Sequence, residues 1–231
     1  GIPFEKKYGG LGFDNLTYIT AVEELSKGCA STGVIMSAHT SLCSWPISQY
    51  GNEIQKMKYL LPLAKGGKIG AFGWTEAEAG TKVSAVKDGK NYIINGTKVL
   101  ITNSHEASIF VIFAKTDFEN NKISAFIIEK GTEGFTLGEK EEKMGVRASS
   151  TSELHFENCI IPEENLLGAE GQGFEIAMST LNGGRIGVAA QAVGIAQGAL
   201  DTAIKYVKER MQNGKRISQF QNTQFVIADL Q

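Results

Sequence analysis

The residues best suited to chemistry in this chain of 231 lie in Gly70-Ala71-Phe72-Gly73-Trp74-Thr75-Glu76-Ala77-Glu78-Ala79-Gly80-Thr81. A strand-like apolar run leads directly into a hydroxyl, a carboxylate and a glycine turn. That order brings backbone N–H groups and short polar side chains up to a phosphate-bearing aromatic cofactor. A second hydroxyl in an apolar setting, Thr102 of Val99-Leu100-Ile101-Thr102-Asn103, follows one predicted hairpin later, so the two can converge on one face of a sheet. Threonines in strands also follow from β propensity alone, and on these residues by themselves that reading stays open.

Composition narrows the rest. With 42% hydrophobic and 21% charged residues the chain can bury a core as one or two domains. Its 23 basic and 25 acidic side chains leave a formal net charge of -2, too little for a cationic field that would attract nucleic acid. No apolar run approaches the roughly 20 residues of a membrane span, and the glycine- and alanine-rich stretch 186–200 is interrupted by Gln191 and Gln197. Cys29, Cys43 and Cys159 are too dispersed for a disulfide framework or a metal site and imply a reducing cytoplasm. His39, His105 and His155 are equally far apart, so hydrogen-bonded structural roles are expected of them and no metal. The abrupt ends, Gly1-Ile2-Pro3-Phe4 and Asp229-Leu230-Gln231, read as those of a piece of a longer protein.

The elements that must position these residues fall into three textures. Leu16, Ile19, Val22 and Leu25 recur every three residues behind Asp14, which predicts an amphipathic helix capped by that aspartate. A second apolar segment spans 31–43, Tyr50-Gly51 is a break, and Asn52 caps a helix over 53–64 that ends at Gly66-Gly67. Residues 1–66 are therefore expected to be helical. Residues 67–165 carry short β-branched and aromatic runs at 69–74, 83–87, 92–94, 97–101, 109–115, 124–129 and 136–139, extending to His155-Phe156 and closing at Pro162. Asp88-Gly89 and Asn95-Gly96 are hairpin signals, and the whole predicts a compact antiparallel sheet or small barrel. Residues 166–231 turn helical again, with one helix over 174–211 and another from about 218. Gly183, Gly184, Gly187, Gly194 and Gly198 let the first of these approach its neighbours closely, as in a crowded bundle. The fold class is α+β.

Four segments, in order across these three regions, resemble the acyl-CoA dehydrogenases, closest to the short-chain, butyryl-CoA type. They are 72–81; Asn95-Gly96-Thr97-Lys98 with Ile101-Thr102-Asn103; Met144-Gly145-Val146-Arg147-Ala148-Ser149-Ser150-Thr151 with Asn165-Leu166-Leu167-Gly168 and Glu170-Gly171-Gln172-Gly173-Phe174; and Gly184-Arg185-Ile186-Gly187 with Glu209-Arg210 and Phe220-Gln221. The resemblance implies a helical N-terminal part, a central barrel-like β domain and the start of a C-terminal helical bundle. It also implies FAD, a short-chain acyl-CoA substrate, an electron-transfer flavoprotein as electron acceptor and a homo-oligomer, a tetramer in the family. A flavin-dependent oxidase and a non-catalytic binding module on the same fold are the alternatives.

By position the resemblance assigns cofactor contacts to Phe72, Gly73, Trp74, Thr75, Glu76, Ala79, Gly80 and Thr81, and to Leu100, Ile101 and Thr102 on the other flank. Arg210 and Gln221 would reach the flavin of a neighbouring subunit, although an arginine late in a helix also suits the helix dipole. Thr81, Asn182, Gly183, Gly184 and Arg185 would touch the acyl-CoA. At Gly184 other branches of the family carry the catalytic glutamate; the short-chain branch has a small residue there and takes its base from a later segment, so no base is assigned. Relative to the family, Ala77 replaces a proline, Lys82 an aspartate whose carboxylate would cap the turn, Leu100 an aromatic, Asn182 an aspartate and Asn213 a phenylalanine.

Overall fold

The computed structural model describes residues 1–78 and 80–231. Ala79, one of the expected cofactor contacts, lies outside the described residues. Helix α1 (Asn15–Gly28) begins where predicted, with the Asp14 carboxylate accepting from Thr17 N at 2.8 Å. Its buried face differs from the expected one. Val22 is buried as expected, but Leu16 and Leu25 are exposed, and Tyr18 and Ser26 are buried beside Val22, where the glycines of a long helix from the other end of the chain approach closely.

Helix α2 covers 30–50 in three parts: regular turns over Ala30–Ser37, wide π turns over Ala38–Ser44 and regular turns over Trp45–Tyr50. Helix α3 covers 53–64, also with wide turns at Lys56–Leu60. Asn52 caps α3 in a reciprocal box with Gln55, at 2.9 and 3.0 Å.

The sheet contains β1 (Gly70–Gly73), β2 (Ser84–Asp88), β3 (Asn91–Thr102), β4 (Ile109–Asp117), β5 (Lys122–Glu129), β6 (Phe135–Leu137), β7 (Thr151–Pro162) and β8 (Leu166–Leu167). Its order is β6-β7-β3-β2-β4-β5-β8, with β1 pairing to β4. Most pairs are antiparallel as expected, but β1 and β2 both run parallel to β4. β4 is buried on both faces. Ile109, Val111 and Phe113 pack toward α2, α3 and the long helix, while Phe110, Ile112 and Ala114 face a second apolar core shared with Tyr92, Ile94, Phe126, Phe135 and Phe156.

Asp88-Gly89 makes the predicted hairpin, with Gly89 at φ 57 and Asp88 opposite Asn91. Asn95-Gly96 does not turn the chain. It sits inside the continuous β3 as a bulge against β7, with the Asn95 side chain accepting from Asn158 N at 2.7 Å. Gly96, at φ 129, lies over Val83, where a Cβ would come within 3.0 Å of the Val83 Cα. Close backbone approach therefore explains this glycine, where a turn was expected.

Helix α4 (Gly173–Glu209) is a single element of 37 residues. Its glycines press onto α1: a Cβ on Gly194 would lie 2.1 Å from the Glu23 carbonyl oxygen, and one on Gly198 would lie 2.4 Å from that of Lys27. A short hairpin, β9 (Met211–Gln212) and β10 (Lys215–Arg216), follows, and α5 (Gln221–Leu230) ends the chain. Asn213 and Gly214 form its turn at φ 50 and 76, so asparagine suits this position by its tolerance of left-handed backbone.

Candidate functional site

The site is built where the chain leaves the sheet between two parallel pairings with β4. β1 pairs along the first half of β4 as far as Gly73 opposite Ile112, and β2 rejoins at Ser84 opposite Lys115. Residues 74–83 make the excursion between them. Gly73 permits the close approach, since a Cβ there would come within 2.9 Å of Ile112 Cγ2. Trp74 packs edge-on against Phe113, centroids 5.2 Å apart, with Phe174 of α4 tilted over it at 6.4 Å.

The segment is tied to β3. Val99 N donates to Thr75 O at 2.9 Å. Lys98 Nζ donates to Trp74 O at 3.2 Å and to Glu76 Oε1 at 2.6 Å, and both charged side chains are buried. Burial pulls the Lys98 ammonium below its usual range, and the hydrogen bond it donates to Glu76 opposes that shift. Glu76 Oε2 accepts from Lys82 N at 2.6 Å and Val83 N at 3.2 Å. Two expectations change here. The turn keeps a capping carboxylate although Lys82 replaces aspartate, because Glu76 supplies it. The Glu76 side chain is also turned inward, which leaves only its backbone for a cofactor.

The far end of β3 forms the other wall. A register shift between Lys98 and Ile101 puts Leu100 at φ 57 and throws its side chain outward, 61% exposed, while Ile101 returns to the core. Asn103 fixes this end, its buried amide donating to Ile35 O at 3.2 Å and Gly70 O at 3.3 Å. The chain thereby sets Thr102 beside α2.

Two adjoining depressions result. One, of about 180 Å³, is lined by Ala38, Leu42, Phe72, Trp74, Thr75, Leu100, Ile101, Thr102 and Leu181. The other, of about 320 Å³, shares Ala38, Leu42, Thr102 and Leu181 and adds Gly184, Arg185 and Val188. Together they form one apolar cleft between the sheet, the wide turns of α2 and the middle of α4. Neither the Thr75 nor the Thr102 hydroxyl has a hydrogen-bond partner among the described residues, so both are available at its wall. Among the described residues no aspartate, glutamate or histidine lines it.

The structure thus brings Phe72, Trp74, Thr75, Leu100, Ile101 and Thr102 together with Gly184 and Arg185. Asn182 accepts from Arg185 Nη1 at 2.7 Å, and Gly183 lines a separate hollow with Tyr18, Trp45 and Ile186. Gly80 and Thr81 lie on the excursion beyond the cleft wall. Arg210 and Gln221 are exposed and remote: Arg210 follows Gly184 by 26 residues of helix, about 39 Å at 1.5 Å per residue. That length of helix separates Arg210 from the cleft beside Gly184 in its own chain.

Sequence reasoning missed Lys98 and the α2 residues Ala38 and Leu42. Lys98 left a signal, since it falls in phase with the buried Tyr92 and Ile94 along β3. The wide turns of α2 left none. The histidines hold structural hydrogen bonds as expected: His39 Nδ1 accepts from Gly70 N at 3.1 Å, and His105 Nε2 lies 3.1 Å from Gly138 O. No helix among the described residues is long and apolar enough to cross a membrane.

The sequence matches the acyl-CoA dehydrogenase N-terminal domain over residues 1–67, the middle domain over 71–159 and the C-terminal domain over 171–231. It is 58% identical to the short-chain specific acyl-CoA dehydrogenase of Clostridium acetobutylicum, across all of this chain and 62% of the relative. The fold superposes on butyryl-CoA dehydrogenase from Megasphaera elsdenii with a TM-score of 0.97 at 51% identity, covering 100% of this chain and 63% of that one. A chain from the structural work on the electron transferring flavoprotein of Acidaminococcus fermentans gives a TM-score of 0.98 at 56% identity, covering 99% of this chain and 62% of the other. An acyl-CoA dehydrogenase from Bacillus anthracis, complexed with FAD, gives 0.94 at 35% identity over 100% of this chain and 40% of its own. The chain spans less than two thirds of the length of these relatives. Its three domains, in order and in matching folds, make it a member of the acyl-CoA dehydrogenase family.

Proposed function

We propose that these residues carry the flavin cradle and part of the acyl-CoA site of an FAD-dependent short-chain acyl-CoA dehydrogenase. The whole protein would convert a short acyl-CoA to its trans-2-enoyl thioester and pass the electrons to an electron-transfer flavoprotein. The observation that carries the reading is that Thr75 and Thr102, two hydroxyls without a hydrogen-bond partner among the described residues, line one otherwise apolar cleft. Such a wall offers hydrogen bonds to the polar edge of a planar ring and apolar contact to its face.

Residues Phe72–Thr75 and Leu100–Thr102 would hold the flavin, which when bound accepts the hydride from the β-carbon. Trp74, packed between Phe113 and Phe174, closes the cleft floor against water. Ala38, Leu42, Leu181 and Gly184 line the depression that would receive the acyl chain, whose short length follows from family likeness. With no carboxylate or imidazole on this wall, the base for the α-proton is supplied from outside these cleft-lining residues. The remote Arg210 and Gln221 support an assembly, a tetramer by family likeness, in which they complete a neighbour's cofactor site. The three free cysteines suit a reducing cytoplasm.

The test is the visible spectrum of the full-length protein before and after anaerobic addition of butyryl-CoA. A flavin spectrum bleached by the thioester is expected. A colourless protein that cannot be reconstituted with FAD overturns the reading, and rapid recolouring in air would favour an oxidase.

A further inference from the structure

Lys98 is fully buried in a strand whose other inward side chains are apolar, and its only charged partner among the described residues is Glu76. A buried pair of this kind adds little to net stability, because desolvating two charges offsets most of their attraction. What it can do is fix geometry. Here the geometry closes on the cofactor segment. Lys98 Nζ holds the carbonyl of Trp74 at 3.2 Å where the segment leaves the sheet, and the next carbonyl, Thr75 O, is held by Val99 N at 2.9 Å. The same lysine holds one oxygen of Glu76 at 2.6 Å, and the other oxygen takes the N–H groups of Lys82 and Val83 where the segment returns. Ala77, Gly80 and Thr81, between these anchors, have no hydrogen bond to the sheet among the described residues.

We infer that Lys98 and Glu76 are positioning residues, a buried clamp that sets the path of residues 74–83 and so places the Thr75 hydroxyl at the cleft. This inference rests on the flavin reading above for its functional consequence, but the clamp itself can be tested without flavin. Exposed Lys82 is a trypsin site inside the clamped segment, and cleavage there requires the segment to open locally.

The variants are Lys98→Met and Lys98→Met/Glu76→Gln in the full-length protein. The double variant leaves no uncompensated buried charge. It is expected to melt near the wild-type temperature yet to be cut after Lys82 about tenfold faster without flavin, and to bind FAD about tenfold more weakly, the worth of one charge-assisted hydrogen bond. Cleavage elsewhere in the chain should not change, which a general loosening of the core would not allow. Should the double variant not fold, Lys98→Met alone leaves Glu76 its two backbone N–H donors, from Lys82 and Val83, and carries the same two measurements. Wild-type cleavage at Lys82 together with wild-type FAD affinity overturns the clamp. A wild-type protein that binds no FAD overturns the flavin reading instead, and the proteolysis result still decides the clamp.

Discussion

Gly184 lies so close to Leu42 that a Cβ built on it would come within 2.5 Å of Leu42 Cδ2. The obstacle is the far end of a side chain at the cleft wall, so it can swing aside. In Gly184→Ala the gain in helix propensity, about 1 kcal/mol, offsets much of an overpacking cost of about 1–3 kcal/mol. Denaturant unfolding should therefore show a loss of about 0–2 kcal/mol, while Leu42, displaced into the cleft, raises KM for a short acyl-CoA. A folded variant with wild-type KM would show that Leu42 does not border the ligand.

Gly194 meets a different neighbour, the backbone carbonyl of Glu23, which cannot move without shifting α1. Gly194→Ala should lose about 3 kcal/mol despite the better propensity, whereas Gly183→Ala, with open space around it, should gain about 0.5–1 kcal/mol. Thermal melts of the two variants give the comparison, and equal melting temperatures would refute the packing argument.

Leu100 holds left-handed backbone, which costs a branched side chain about 1–2 kcal/mol. Its side chain is largely exposed and recovers little of this through burial. Leu100→Gly should raise stability by about 0.5–1 kcal/mol after the entropy cost of glycine is counted, and weaken FAD binding by removing one wall. Stabilisation with unchanged flavin affinity would separate Leu100 from the site.

Thr102→Val preserves shape and removes a hydroxyl that has no hydrogen-bond partner among the described residues. The melting temperature should stay put. Loss of one neutral hydrogen bond to a bound ring predicts a fall of about 2- to 10-fold in kcat/KM, and steady-state kinetics at saturating acceptor would read it. An unchanged kcat/KM counts against Thr102 as a cofactor contact.

His39 gives the fold a pH dependence. Burial lowers its pKa to about 4, and its Nδ1 accepts from Gly70 N only when unprotonated. The unfolded chain takes up a proton near pH 6.5 and the folded one does not until about 4. The His39 contribution is therefore complete above pH 6.5 and shrinks as pH falls toward 4, by about 2 to 3 kcal/mol. Urea midpoints across this range should fall in the wild type and flatten in His39→Asn; parallel slopes would assign the dependence to other groups.

Local rules carried the reading of the sequence where a few adjacent residues decide the structure. Asp14 and Asn52 cap helices as read, and Asp88-Gly89 turns a hairpin, because each outcome depends on hydrogen bonds within a handful of residues. Asn95-Gly96 carries the same local signal and was misread, since pairing with β7 and the approach of Val83 outweighed the turn preference. The buried face of α1 was misread in part for a like reason, as the glycines of α4 buried Tyr18 and Ser26 beside the expected Val22 and left Leu16 and Leu25 exposed.

Four segments in order across the chain were enough to read the family from the sequence, whereas the two threonine tracts by themselves left ordinary β propensity open. Covalent order and period-two alternation place those residues at strand ends whatever the rest of the fold does. Only the tertiary structure decided that Glu76 turns inward to Lys98, that the wide turns of α2 and the middle of α4 complete the cleft, and that Arg210 lies far from it. Those outcomes depend on burial and on contacts between residues far apart in the chain, and such contacts exist only after helices and sheet have packed.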